Sequence, residues 1–340
     1  MENKMRVDIA ASRLKAHKKG NYLSAIFKSV ILKRFKLIQF DHVQLTDGNE
    51  VYSFGETNSE SSVQVDVLSP DFYVLLGSGG IMGAAEAYTA GCWKADDLVA
   101  LIRTVFRNKD VMGQLDSGWA LLAKPINQFV HWLRKNSLSG SKQNILAHYD
   151  LSNEFYKLWL DETLTYSCGI FKDQHSSMKD ASIEKLDRIC RKLDIQTKDS
   201  ILEIGTGWGS FAIHAARNYG CKVTTTTISD AQYEMTKDRI QKAGLEDKIT
   251  LLKDDYRSLT GKFDKIVSIE MIEAVGHQFV PLYLQKVSSL LEKDGLFAMQ
   301  GITYNDQNFD KYKNSVDFIK KYIFPGSCLI SVSQMTEAMK

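Results

Sequence analysis

In the stretch IVSIEMIEAVG (266–276), three apolar residues, Ile266, Val267 and Ile269, read as a buried strand. Two carboxylates, Glu270 and Glu273, follow where that strand should end. A buried charge without a partner is costly, so these acids must face something. Carboxylate charge at such a place can stabilise cationic chemistry. The bland alternative for Glu273 is an acid in the first turn of a helix, favourable beside the dipole; from the residues alone the two readings stand level. A second feature lies upstream, where SILEI runs into GTGWGS. Gly205, Gly207 and Gly209 permit a tight turn and close backbone approach, and ligands of open α/β sheets sit beyond the strands' carboxyl ends. A packing role for the glycines is the competing reading. The spacing E-x-G-x-G-x-G, with Glu203 inside it, departs from the G-x-G-x-x-G dinucleotide fingerprint.

The elements needed to position these residues are legible from 143 onward. Strands SILEIG, KVTTTTI, ITLLKDD, KFDKIVSIE and GLFAMQGIT alternate with helices over 177–193, 210–220, 230–244 and 277–295. Alternation at this pace predicts an α/β fold with a doubly wound, mostly parallel, Rossmann-like sheet. Residues 144–161 read as helical and DETLTYSCGIF as a loop or extended segment. Residues 1–120 read as a smaller mixed α+β domain and 121–142 as a helical linker. In the first domain, 20–40 reads as an amphipathic helix, Asp47–Gly48 as a turn, and SSVQVDVLSPDFYVLLGSGG as an alternating stretch ending in a glycine cluster. Helices follow from Ile81.

At 340 residues the chain exceeds a single typical core. Its 44% hydrophobic and 25% charged composition predicts a packed globular protein. Net charge is +2, yet residues 1–40 carry a local +8. Phe27, Ile31, Phe35 and Ile38 interleave with those cations, which favours an anionic membrane surface over a merely solvated helix. No nucleic-acid motif accompanies the basic run. Five cysteines, odd in number and widely spaced, favour a reducing compartment. The N-terminus has no apolar h-region, and no run approaches the ~20 apolar residues that span a bilayer. The expectation is a cytoplasmic protein, peripheral at the inner membrane face. His175, His214 and His277 are too scattered for a metal site, and His148 reads as structural.

The E-x-G-x-G-x-G turn resembles motif I of class I S-adenosylmethionine-dependent methyltransferases. Six stretches together (144–171, 202–216, 226–232, 254–257, 263–276 and 318–329) resemble the cyclopropane-fatty-acyl-phospholipid synthase family, with its plant and mycolic-acid branches. That resemblance implies methyl transfer from S-adenosylmethionine to a cis double bond of a phospholipid acyl chain. A carbocation then loses a proton and closes to a cyclopropane ring, with a bound bicarbonate ion as base. Carried over by motif, the anion-site residues are Cys168, Glu273, Gln300 and Ile302. The cofactor-binding residues so implied are Tyr166, Ser167, Glu203, Gly205, Gly207, Gly209, Thr227, Ile228, Gln232, Asp255 and Tyr256. Methyl- or methylene-branched acyl products and small-molecule amine N-methylation are the alternatives, and a homodimer is implied by the relatives.

Three departures stand out. Ala274 and Gln300 replace histidines of many bacterial relatives; glutamine hydrogen-bonds as neutral histidine does but does not titrate near neutrality. Glu270 stands where many relatives have glycine, and the sequence names no partner for it. The family's bicarbonate site is completed by a tyrosine beyond the FPG stretch, and this sequence ends at Lys340.

Overall fold

The computed structural model describes residues 22–113 and 153–340. The basic residues before 22, the expected linker and His148 lie outside the described residues. The chain divides into two units, 1–129 and 130–340.

In the first unit, α1 (Tyr22–Phe35) precedes β1 (His42–Asp47), β2 (Glu50–Gly55) and β3 (Ser62–Val67). Then come α2 (Asp71–Thr89), β4 (Trp93–Ala95) and α3 (Leu98–Arg107). The sheet order is β2-β1-β3-β4. The β1–β2 hairpin closes on the Asp47–Glu50 pair around Gly48, whose φ of 60° fits the expected turn. Val43 and Leu45 alternate inward with Val63, Val65 and Val67 to form one core face.

Two expectations are corrected here. The glycine cluster does not end an extended stretch: α2 starts after Pro70 and runs through it, with Gly80 at φ 60° marking a kink. Glycine is needed at 77 because a Cβ there would lie 2.1 Å from the Phe27 ring, so its absence lets α1 close on α2. The interleaved apolar residues of the basic helix are also not a membrane face. Phe27, Ile31 and Ile38 are buried in this core, and Phe35 packs against it. Lys28 is likewise occupied, bonded to Asp47 at 2.5 Å and Glu50 at 2.6 Å. A different stripe of α1 faces outward: Tyr22, Leu23, Ile26 and Val30.

The second unit holds α4 (Asn153–Lys157), α5 (Met178–Lys192), β5 (Ser200–Ile204), α6 (Ser210–Tyr219), β6 (Lys222–Thr226) and α7 (Asp230–Ala243). It continues with β7 (Ile249–Leu252), β8 (Phe263–Ile269), α8 (Ile272–Val275), α9 (Val280–Leu290) and β9 (Leu291–Gln300). The sheet order is β7-β6-β5-β8-β9, with every neighbouring pair parallel. This is the doubly wound sheet expected. Strand order reverses between β5 and β8, which opens a crevice at their carboxyl ends. Helices cover both faces: Phe211, Ala212 and Ala215 of α6 pack on one, Tyr283, Leu284 and Val287 of α9 on the other. The helix expected over 277–295 ends at Leu290. Leu291 already pairs with Phe263, and the register resumes at Lys265–Leu296, so EKDG bulges out of the strand instead of extending the helix. Among the described residues, no helix is long and apolar enough to cross a membrane.

The burial of Ile31 sets an expectation for stability. Ile31→Ala should destabilise the first unit by about 2–5 kcal/mol, whereas Ile26→Ala should stay within about 0.5 kcal/mol. Urea unfolding of both variants checks the contrast.

Candidate active site

The β5 strand ends in the glycine loop at the sheet's switch point. Gly205 and Thr206 donate their amides to the Thr226 carbonyl at 3.2 and 2.9 Å, which ties the loop to the end of β6. Gly207 has a φ of 54°, and a Cβ there would meet nothing within 4 Å. The loop therefore presents open backbone at the foot of α6, where a ligand can approach closely.

Glu203 does not point into that opening. It is buried and accepts a 2.6 Å hydrogen bond from Thr225 Oγ1 on β6. Burial pushes its carboxyl up to about 8, against the pull of Thr225 and Lys185. At the end of β6, Thr227 Oγ1 donates to Gln232 Oε1 at 2.7 Å, and Ile228 is half-buried beside them. Asp255 holds Arg257 through two bonds of 2.6 and 2.8 Å. Tyr256 sits in the core with its ring edge-on to Tyr283. Of the expected cofactor residues, the glycines thus frame the opening, while Glu203 and Tyr256 lie behind it.

The acid cluster lies at the end of β8. Glu270 has a φ of 52°, a left-handed backbone that costs a non-glycine residue about 1–2 kcal/mol. That turn, with its amide on the Gln300 carbonyl at 2.9 Å, carries its carboxylate into a polar clamp. Its Oε1 accepts 2.8 Å bonds from Ser167 Oγ and from Gln300 Nε2. The same Gln300 amide reaches Ser167 Oγ at 2.8 Å and Cys168 Sγ at 3.4 Å. Glu273, on α8, accepts from the Ile302 amide. A Cβ at Gly301 would lie 2.6 Å from Ile272 and 3.1 Å from Glu273 Oε1, so glycine lets β9 close over the acid. Burial pushes Glu273 up to about 7, the Ile302 amide opposes this, and the adjoining Glu270 carboxyl adds to the rise. The Oε2 atoms of both acids are buried without a donor. A proton on Glu273 offers the pair one.

Cys168, Glu273, Gln300 and Ile302, far apart in sequence, therefore meet in one place. Sequence reasoning missed two neighbours. Lys185 on α5 is almost fully buried, and its Nζ has no hydrogen-bond partner. Burial lowers it to about 8, while Glu270 leads the charges that favour its cationic form. In the sequence it is one cation of a charged helix, and nothing marks it as interior. Phe324 of the FPG stretch stacks on Tyr166 with ring centroids 6.4 Å apart, and Trp159 and Tyr156 flank Tyr166 at 5.2 and 5.5 Å. Beyond Ile302 opens a cavity of about 290 Å³, lined by Ile272, Phe297, Met299, Gly301 and Met335 among others.

The open glycine loop fits S-adenosylmethionine; of the polar residues expected around it, Thr227 and Gln232 are buried and bonded to each other and Asp255 is engaged by Arg257. An external bicarbonate fits less well, since Ser167 and Gln300 are engaged by Glu270 and the Ile302 amide by Glu273. Sheet order, switch point and glycine loop define a class I S-adenosylmethionine-dependent methyltransferase fold. The family described as mycolic acid cyclopropane synthetase matches residues 136–340, and the chain belongs to it. The chain is 33% identical over 286 residues to the cyclopropane-fatty-acyl-phospholipid synthase of Escherichia coli K12, covering 83% of this chain and 70% of that one. It is 31% identical over 280 residues to the tuberculostearic acid methyltransferase UfaA1 of Mycobacterium tuberculosis, covering 77% of this chain but only 62% of the relative. The solved mycolic acid cyclopropane synthase CmaA1, complexed with SAH and CTAB, superposes with a TM-score of 0.54 at 29% identity, over 58% of this chain and 72% of that one.

Glu203 makes stability depend on pH. Its ordinary value is 4.5 and its folded value about 8. The folded state thus holds a proton that the unfolded state releases, so this contribution is full below 4.5 and lost as pH rises toward 8. Glu203→Gln should flatten the fall of melting temperature between pH 5 and 8, as calorimetry at several pH values would reveal.

Proposed function

We propose that the protein transfers a methyl group from S-adenosylmethionine to a cis double bond of an unsaturated phospholipid acyl chain and closes a cyclopropane ring. The observation that carries this reading is the shared wall between an apolar cavity and the acid cluster. Gly301 and Ile302 line the cavity, and the Ile302 amide bonds Glu273. A hydrocarbon chain in that cavity would lie with its reacting carbons beside the wall that Gly301 and Ile302 share with Glu273.

When bound, S-adenosylmethionine supplies an electrophilic methyl. The glycine loop over 205–209 holds the donor at the switch point. The aromatic cluster of Tyr166, Phe324 and Trp159, in which Tyr166 adjoins Ser167 in the chain, adds polarisable surface beside the acids. Glu273 and Glu270 stabilise that charge electrostatically. The resemblance assigns proton removal to a bicarbonate ion among Cys168, Glu273, Gln300 and Ile302; the existing bonds of those donors argue against a free anion position.

The outward stripe of α1, Tyr22, Leu23, Ile26 and Val30, runs beside the exposed Lys33. It supports a peripheral position on an anionic bilayer, where the acyl substrate resides.

The direct assay incubates the protein with S-adenosylmethionine and vesicles of cis-unsaturated phospholipid, followed by mass spectrometry of the released fatty acids. A mass gain of one methylene without loss of the unsaturation equivalent marks a ring or methylene product, and fragmentation separates the two. A methylene-branched olefin, or methyl incorporation only into added amines, would replace the reading. Glu273→Gln should keep affinity for S-adenosylhomocysteine in calorimetry and lose turnover by about 100-fold or more.

A further inference from the structure

We infer that Glu270 is the built-in proton acceptor of the reaction, its carboxylate taking the position that a dissolved anion would otherwise fill. The inference rests on the lipid-methylating reading above and assigns its base. Three independent features of the structure support it.

The first is the backbone. A glutamate at φ 52° stands in a conformation that glycine adopts freely. Such a cost persists where surrounding structure imposes it, often at a functional site. Here the turn delivers the carboxylate to Ser167 and Gln300. A structural acid would need no such turn, because glycine satisfies the main chain.

The second is the state of the donors. Ser167 Oγ and Gln300 Nε2 are the polar groups an anion at this place would use, and both already bind Glu270 Oε1 at 2.8 Å. Gln300 also contacts Cys168 Sγ, which ties the last donor of the cluster to the same arrangement. Glu270 therefore makes the bonds expected of the bound ion, and its buried Oε2 adjoins Glu273 in place of a fixed donor.

The third is the buried cation. Lys185 is 2% exposed, has no hydrogen-bond partner, and has Glu270 as its leading electrostatic neighbour, ahead of Cys168 and Glu203. Lys185 therefore places its unpaired amine among the same buried groups that hold the Glu270 side chain. Lys185 is thus a positioning residue for the cluster, and Glu273, pushed up to about 7, is a neighbour able to hold a second proton.

The step balances without a further reactant. After methyl transfer the acyl chain carries one positive charge. A C–H bond of the new methyl breaks, its electron pair forms the third carbon–carbon bond of the ring, and the proton passes to Glu270. Loss of that proton to solvent restores the carboxylate.

The test compares the full-length wild type with Glu270→Gly and Glu270→Gln in bicarbonate-depleted and bicarbonate-containing buffer. Wild-type turnover should be the same in both. Glu270→Gly should fall by about 100-fold or more when bicarbonate is removed and recover when it is returned. Glu270→Gln keeps the side chain's bulk and should bind S-adenosylhomocysteine normally while remaining slow in both buffers. A second readout needs neither lipid nor turnover: bicarbonate should raise the melting temperature of ligand-free Glu270→Gly and leave that of the wild type unchanged. This arm reports on the anion position even if the lipid reading fails. The inference is overturned if wild-type turnover collapses without bicarbonate, if bicarbonate stabilises the wild type as it does Glu270→Gly, or if Glu270→Gly keeps the wild-type rate in depleted buffer.

Discussion

A carboxylate taken out of water must be given donors or a proton, and the organisation of the second unit follows from that constraint. Three acids are drawn into the region where β5 and β8 end. Glu203 takes the Thr225 hydroxyl across the strand pair, Glu273 takes the Ile302 amide, and Glu270 takes Ser167 and Gln300. Each bond joins elements distant in sequence. The acids therefore stitch the loop at 167, the end of β8 and the end of β9 into one rigid constellation. Preorganised polarity of this kind is what stabilises charge that appears only during reaction.

The surrounding apolar structure gives the constellation its strength. The sheet is buried on both faces, with β5 residues Ile201, Leu202 and Ile204 almost wholly inaccessible. Few waters can compete for the acids in such a setting, so each hydrogen bond counts for more than it would at the surface. The aromatic group around Tyr166 and the apolar cavity beyond Ile302 lie on either side of the acids.

Much of this was legible in the sequence because it depends on period and order. Strand–helix alternation identifies the parallel sheet, and a glycine-rich turn after the first strand locates its switch point. What was not legible depends on contacts between distant residues. Gly77 reads as a helix breaker until the Phe27 ring is placed against it. Phe27 and Ile31 read as one face of a surface helix until the sheet behind them is in place. The EKDG segment extends a helical pattern, yet Leu291 is captured by Phe263. Lys185 and the clamp on Glu270 left no local signature either, since neither spacing nor composition marks them. The glycines, Glu273 and Gln300 could be picked out by motif; the reason Glu270 is present could not.

The left-handed backbone at position 270 also bears on how such proteins diversify. Glycine and glutamate follow the same main-chain path there, so exchanging one for the other requires no rearrangement of the strand or the loop around it. On the inference that Glu270 is the acceptor, one substitution at this position would decide whether the site carries its own acid or depends on a dissolved ion, with the main chain left as it is.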